Sequence, residues 1–327
     1  MKGIVYTKYG PPDVLQLKEV AKPEPKDNQV LVKVHAASVN ALDYRRFEKT
    51  SILGRFMDQV LLKAINKVLG ADIAGRVEAV GASVRKFRPG DAVFGVSEGS
   101  AGGFAEYACA AENNLALKPI NLSFESAAAV PIAAMTALQA LRDKGKIQAG
   151  QNVLINGASG GVGTFAVQIA KSFGANVTAV CSTSNLETAR SIGADHIIDY
   201  TQEDFAKNGQ HYDLIIAVNG YRSILDYRRA LGPNGTYVGT GGSMAQILQG
   251  MVIGPMISRI GSKNMGFMGI AKINQKDLVF LGKLLEAGEV APVIDRCYPL
   301  SQVAEAVRYL AEGHARGKVL ITVETYN

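Results

Sequence analysis

Residues 150–171 read Gly150-Gln-Asn-Val-Leu-Ile-Asn-Gly-Ala-Ser-Gly-Gly-Val-Gly-Thr-Phe-Ala-Val-Gln-Ile-Ala-Lys171, and this stretch decides the fold. Val153, Leu154 and Ile155 form a short apolar run between turn residues, the pattern of a strand buried on both faces. Small residues fill 158–163, and beyond them Phe165, Ile169 and Phe173 share one helical face. Strand, glycine turn and helix start in that order make a cradle for a pyrophosphate. Backbone N–H groups of the turn and the positive end of the helix dipole face the anion, and glycines let it come close. Gly174 stops the helix, and 177–180 supplies a second strand. A glycine-rich hexamer alone is weak evidence; framed by strand, helix, stop and strand, it predicts a dinucleotide-binding βαβ unit.

Downstream, strand patterns recur at 193–200, 212–219 and 235–242, with helical patterns at 185–192 and 224–230. Strands alternating with helices predict a parallel, doubly wound α/β sheet. Upstream, 3–7, 15–20 and 29–37 look like strands broken by Pro23-Glu-Pro25, and 70–81, 87–93 and 104–107 continue the β-rich pattern to about residue 115. The third strand runs into Ser38-Val-Asn40-Ala-Leu-Asp43-Tyr44, a turn and helix start. Asn40 and Asp43 fit an N-cap pair and fit polar groups facing a ligand equally well. Residues 56–69 carry Phe56, Val60, Leu61, Ala64, Ile65, Val68 and Leu69 on one face, an amphipathic helix that either covers the core or lids a pocket. Residues 127–141 form an alanine-rich helix with Pro131 early and Thr136 central. The methionine-rich helix 244–260 suits core or a subunit contact, otherwise a pliable pocket wall. Helices at 276–286 and 302–312 precede a last strand, 317–323, that returns to the first domain.

At 327 residues the chain suits two domains. Its 35 basic and 29 acidic side chains give a net charge of +6, but no Lys/Arg block appears. The excess therefore belongs to solvated surface, and nucleic acid is not an expected partner. Cys109, Cys181 and Cys297 are odd in number and far apart, which favours a reducing compartment, the cytoplasm, over a disulfide framework. The start runs directly into a strand pattern, so no signal peptide is expected, and no apolar run approaches the roughly 18 residues of a membrane span.

Together these residues resemble the medium-chain dehydrogenase/reductase superfamily, in its zinc-independent quinone oxidoreductase-like branch. The resemblance is carried by Gly150-Gln151, Leu154, Ala158-Ser159-Gly160-Gly161, Gly163, Gln168 and Lys171. It extends to Val39-Asn40 with Asp43, Gly70-Ala-Asp72-Ile-Ala-Gly75, Gly90-Asp91, Ala105-Glu106-Tyr107, Thr136-Ala137 and Arg316-Gly317-Lys318. It implies a mostly β GroES-like catalytic domain, 1–122 and 267–327, split around an inserted Rossmann domain, 123–266. It also implies a homodimer formed through the sheet edge at 264–269.

A catalytic zinc needs three protein ligands and a structural zinc four. Zinc-dependent members of the superfamily have a Cys where this chain has 38–40, and Gly-His-Glu where it has Gly70-Ala71-Asp72. Of the four-cysteine loop near 90–115 only Cys109 is present. His35, His196, His211 and His314 fall on unrelated elements, so no zinc is expected. The nicotinamide cofactor is chosen by the residues after the second strand, where NAD sites place Asp or Glu about 20 residues past the glycines. Here that place reads Cys181-Ser182-Thr183-Ser184-Asn185, with no acid before Glu187. Hydroxyls can donate to a 2′-phosphate that a carboxylate would repel, so NADPH is expected over NADH.

The expected cofactor contacts are Ser159, Gly160, Gly161, Val162 and Gly163 in the turn and Thr183 after the second strand, and the resemblance implies Ser182 and Tyr200 at the adenosine end. The resemblance adds Asn40, Thr136, Asn219, Gly241 and Lys318 along the remainder. It also implies hydride transfer from NADPH to a quinone or α,β-unsaturated carbonyl, a small hydrophobic acceptor, with Phe56, Met57 and 244–260 as pocket wall. Without zinc, hydrogen-bond donors must stabilise the developing oxyanion; Asn40 and Tyr44 are the candidates, with Asp43 orienting their loop. An alcohol dehydrogenase of the same superfamily and a nucleotide-binding protein without turnover are the alternatives.

Overall fold

The computed structural model describes residues 1–6, 8–45, 68–100 and 102–323. The proposed lid helix at 56–69, except Val68 and Leu69, lies outside the described residues, as do the pocket-wall candidates Phe56 and Met57.

The chain begins with strands β1 (Lys2–Tyr6), β2 (Leu15–Glu19) and β3 (Gln29–Val39), then helix α1 (Ala41–Arg45). Strands β4 (Asp72–Val80), β5 (Ala92–Val96), β6 (Tyr107–Ala111) and β7 (Leu115–Leu117) precede α2 (Phe124–Ala128) and α3 (Pro131–Gln139). Alternation then sets in: β8 (Asn152–Asn156), α4 (Gly161–Ser172), β9 (Asn176–Cys181), α5 (Leu186–Ser191), β10 (His196–Asp199), β11 (Tyr212–Ala217), α6 (Ile224–Ala230) and β12 (Leu231–Gly239). Helices α7 (Met244–Leu248) and α8 (Gly254–Ile260) lead to β13 (Asn264–Phe267). After these come α9 (Gln275–Glu286), β14 (Ile294–Pro299), α10 (Val303–Ala311) and β15 (Lys318–Thr322).

These elements form two compact units. The first comprises Met1–Ile132, Ile273–Glu286 and Ile294–Asn327; the second comprises Ala133–Lys272 and Ala287–Val293. In the first unit β1 pairs with β2, and a larger sheet runs β14-β15-β3-β4-β5-β7, with β6 also on β3. Val30, Val32 and Val34 of β3 alternate inward and pack with Ile73, Phe104, Leu115, Val319 and Ile321, all buried. Strand β15 lies antiparallel to β3, so early and late segments of the chain share one sheet.

In the second unit six parallel strands run β10-β9-β8-β11-β12-β13. Numbered within the unit, that order is 3-2-1-4-5-6, the Rossmann arrangement, in which ligands bind outside the carboxyl ends where the order reverses, beside the first strand. Leu154, Ile215, Tyr227 and Tyr237 fill one side of the sheet, the two tyrosine rings 4.7 Å apart.

Two helices expected to be single are interrupted, and proline accounts for both. Residues 127–141 divide into α2 and α3, with Pro131 opening the second helix, where its missing N–H costs nothing. Between α7 and α8 the chain widens into a π turn at Gln249–Ile253 just before Pro255, which removes one helical hydrogen bond and crowds the carbonyl four residues back. Met251, Met256 and Ile260 of this stretch are exposed on the chain by itself, so they are not core.

Candidate functional site

The cradle forms where β8 ends. Gly157 adopts φ +83°, a left-handed conformation that a side chain would strain, and its N–H and that of Ala158 donate to the Val180 carbonyl at the end of β9. A Cβ on Gly163 would stand 2.1 Å from the Gly157 carbonyl oxygen, so only glycine lets α4 start this close to the turn. Gly160, the N-cap of α4, is different: a Cβ there would find nothing nearer than 3.9 Å. That open space lies in front of the helix N-terminus, as an entering phosphate requires. Ser159, Gly161 and Val162 are half-buried in the same turn.

Two neighbouring loops border the cradle. Asn219 follows β11, its N–H directed to the Asn156 carbonyl (3.4 Å) and its own carbonyl accepting from Asn156 Nδ2 (3.2 Å). The same Asn156 amide donates to the Tyr227 hydroxyl at 2.7 Å. Burial raises the Tyr227 phenol pKa far above its ordinary value, so the group stays neutral. Gly241, after β12, sits so close to the Val218 carbonyl that a Cβ would approach to 2.6 Å. Gln168, part of the sequence signature, is structural: its amide donates to the Thr164 and Ala291 carbonyls and accepts from the Ala291 N–H.

At the other end of the crevice, 182–185 leaves β9. Asn185 Nδ2 donates to Ser182 Oγ (2.8 Å), and Thr183 Oγ1 donates to Asp199 Oδ2 (2.5 Å). Asp199 ends β10 in register with Cys181. Tyr200, beside it, is exposed. The Cys181 thiol, buried, has its pKa pushed up to about 11.

The first unit contains a buried polar core. Asp72 opens β4 with no exposed surface, and register places it across from Ser38 of β3. Its Oδ2 accepts from Ser38 Oγ (2.7 Å), Asn40 Nδ2 (2.9 Å) and Lys318 Nζ (3.5 Å), and its Oδ1 accepts from the Ile132 N–H (3.0 Å). Lys318, 3% exposed on β15, also donates to Asn40 Oδ1 (2.7 Å) and to the Val39 carbonyl (3.4 Å). The ammonium thus has three acceptors for its three protons. Burial lowers the Lys318 pKa, and the nearby Asp72 and Asp43 carboxylates work against that fall.

The N-cap reading of the Asn40–Asp43 pair has its counterpart here. Asp43 accepts the Asn40 backbone N–H at 2.7 Å, one half of a capping box that starts α1. The Asn40 side chain turns inward instead, to Asp72, Lys318 and the Ser38 carbonyl (3.4 Å). Tyr44, half-buried, packs on the core of the first unit. Thr136 is half-buried on α3. The proposed cofactor residues are therefore dispersed: Ser182, Thr183 and Tyr200 lie after β9 and β10, and Thr136 lies on α3. Ser159 to Gly163, Asn219 and Gly241 gather at the cradle, whereas Asn40 and Lys318 are bonded to each other and to Asp72. From the sequence alone neither Asp72 nor Asp199 has an assigned role; a carboxylate between Ala71 and Ile73 was the available sign, since a charge in an apolar strand demands partners.

Comparison with known proteins agrees with this architecture. The alcohol dehydrogenase GroES-like domain family matches residues 26–120, and the zinc-binding dehydrogenase family matches 192–321. The chain is 38% identical to a 2-methylene-furan-3-one reductase of Solanum lycopersicum, over 98% of this chain and 79% of the relative. It is 36% identical to an NADPH-dependent alkenal/one oxidoreductase, chloroplastic, of Arabidopsis thaliana, with the same coverage of both chains. The solved quinone oxidoreductase from Coxiella burnetii superposes with a TM-score of 0.86 at 31% identity, covering 99% of each chain. The chain belongs to the medium-chain dehydrogenase/reductase superfamily, in its quinone oxidoreductase-like branch. As a member it is an NAD(P)H-dependent oxidoreductase, with a GroES-like and a Rossmann part. Among the described residues, no three His, Cys, Asp or Glu side chains converge to hold a metal, and no helix is long and apolar enough to cross a membrane.

Proposed function

We propose that the protein transfers a hydride from NADPH to a small quinone or α,β-unsaturated carbonyl, without zinc. The observation that carries this reading is the shaped glycine cradle of the Rossmann sheet together with a polar core whose groups are committed to one another. Where the zinc-dependent cousins supply ligands, this chain has the Ser38 hydroxyl, the Ala71 methyl and the Asp72 carboxylate. That carboxylate already accepts from four donors, one of them the Lys318 ammonium. Names of relatives support the acceptor class: one is a furanone reductase, one an alkenal/one oxidoreductase, and others are quinone oxidoreductases.

NADPH, when bound, supplies the hydride. The chain's own residues hold it, and they stabilise the oxygen on which charge develops. Backbone N–H groups at Gly160–Gly163 receive the pyrophosphate, and Ser182, with no acid on its loop, suits the 2′-phosphate. Thr136, Asn219 and Gly241 remain proposed contacts along the cofactor, whereas the bonds of Lys318 and Asn40 make these two positioning groups. With the Asn40 amide committed, Tyr44 is the oxyanion donor we propose, its helix held by Asp43. Reduction of an enone adds the hydride to the β-carbon and a solvent proton to the enolate, leaving NADP+.

We extend the proposal to a homodimer through β13, which ends the six-strand order beside the exposed apolar face of α8. The free thiols Cys109, Cys181 and Cys297 support a reducing, cytoplasmic location. The deciding experiment supplies purified protein with NADPH and a panel of quinones and enones and follows loss of the reduced nucleotide after elemental analysis for zinc. Consumption of NADPH by metal-free protein is the expected result; no turnover with any acceptor, or turnover only with stoichiometric zinc, rejects the proposal.

A further inference from the structure

We infer that Asp199 sets cofactor specificity: acting through Thr183, it restrains the preference for the 2′-phosphorylated nucleotide. The inference rests on the proposed use of NADPH and adds the side chain that determines how strongly NADPH is favoured over NADH.

Sites for NAD place a carboxylate at the end of the second strand to accept from the ribose hydroxyls. Here the residues after β9 lack one, yet the sheet delivers a carboxylate sideways, from β10. Asp199 lies across from Cys181 in the parallel register, and its Oδ2 reaches Thr183 Oγ1 at 2.5 Å. Its Oδ1 accepts from Thr201 Oγ1 (2.8 Å) and the Thr201 N–H (3.0 Å). These bonds fix the carboxylate beside the loop proposed to meet the 2′-phosphate.

Counting protons gives the polarity of each hydroxyl. A hydroxyl has one proton and two lone pairs. Thr183 commits its proton to Asp199 and lies 3.1 Å from Thr201 Oγ1, so what it has left for a ligand is a lone pair, and it faces that ligand as an acceptor. It can take a bond from the 2′-hydroxyl of NADH, and it has nothing to donate to a phosphate. Ser182 is the reverse case. Its oxygen already accepts from Asn185 Nδ2 (2.8 Å), and its proton has only the long contact to Ser184 Oγ (3.3 Å) to give up for a phosphate oxygen. Adjacent hydroxyls on one loop thus have opposite polarity, one suited to each nucleotide, and Asp199 dictates that of Thr183. Asp199 is also anionic at neutral pH, held below the ordinary carboxylate range first by the Thr183 hydroxyl and then by Thr201. A fixed negative charge here repels a 2′-phosphate and leaves a hydroxyl unaffected. A purely structural role, closing the turn from β10 into 201, would not distinguish the two nucleotides.

The test compares kcat/KM for NADPH and NADH, with dissociation constants from nicotinamide fluorescence, in Asp199→Asn, Asp199→Ala and Thr183→Val. The ratio of NADPH to NADH efficiency should rise in all three. In Asp199→Asn the rise should be about tenfold, from removal of one nearby charge, and it should come from a lower KM for NADPH. Because the ratio is internal to each variant, a general loosening of the loop cancels. A ratio within about twofold of the parent's, or one that moves toward NADH, overturns the inference and leaves the proposed function standing. Unsubstituted protein that binds neither nucleotide overturns both.

Discussion

Replacing Asp72 by Asn tests the buried core where its energetics are sharpest. The substitution keeps shape and one acceptor, and the Ile132 N–H retains its partner. The other position becomes an NH2 group facing the Asn40 amide and the Lys318 ammonium, donor against donor. Rotating the Asn40 amide does not relieve this, because its Oδ1 is the 2.7 Å acceptor for Lys318. An ammonium is then left buried without its carboxylate, for which about 3–5 kcal/mol of destabilisation is the usual cost. Lys318→Met should cost less, about 1–3 kcal/mol, since Asp72 keeps three neutral donors. The double variant should be more stable than the sum of the single losses by at least about 1 kcal/mol, because the two changes remove both ends of one interaction.

pH separates this account from a simple packing defect. Burial places the folded Lys318 pKa below its ordinary value of 10.5. In the interval between the two, the unfolded chain carries more protons, so stability rises with pH up to about the ordinary value. Removing Asp72 lowers the folded pKa further and widens that interval. Asp72→Asn should therefore recover stability more steeply than the parent as pH rises toward the ordinary lysine value, while Lys318→Met should not. The chain has no tryptophan, so urea unfolding followed by far-ultraviolet circular dichroism is the suitable assay. Additive losses, or equal pH slopes for Asp72→Asn and Lys318→Met, would refute the reasoning.

Two further expectations can be checked alongside. Gly160→Ala should leave thermal unfolding nearly unchanged, since the added methyl meets nothing within 3.9 Å, yet weaken NADPH binding at least about tenfold by occupying the approach to the turn; Gly163→Ala, 2.1 Å from a carbonyl oxygen, should lose the fold of the cradle itself. Calorimetry and nucleotide titration on both variants distinguish these outcomes. Asp43→Ala removes the acceptor for the Asn40 N–H and should cost about 0.5–2 kcal/mol, read as a shift of the urea midpoint with an unchanged slope.

What was legible in the sequence was what depends on neighbours along the chain. The turn at 157–163, its flanking strands and the helix stop at Gly174 all lie within one unit of local structure, and glycine announces itself by conformations other residues avoid. The parallel sheet followed from alternation. Asn40 and Lys318 were named as site residues, but their bonding to each other and to Asp72 was out of reach for a different reason: Lys318 lies 278 positions from Asn40, and only the registers of β4 and β15 on β3 bring the three together. Asp199 is hidden from the sequence in the same way, because it belongs to β10 and only the parallel register with β9 brings it to Thr183. The helix interruptions were visible as Pro131 and Pro255, but periodicity alone smoothed over them.

The place of β15 has a bearing on biogenesis. A chain emerging from the ribosome makes β3, β4 and β6 early, whereas β15, which covers Ala36–Val39 of β3, is translated only after nearly all of the Rossmann unit. Until then Asp72 lacks its cation and the Ala36–Val39 end of β3 offers unpaired backbone to any passing strand. The Rossmann unit, whose strands follow one another almost without interruption, has no such delay and can mature while synthesis continues. Its neighbour must wait for β15, so factors that shield nascent polypeptides would have their longest task at the amino-terminal sheet.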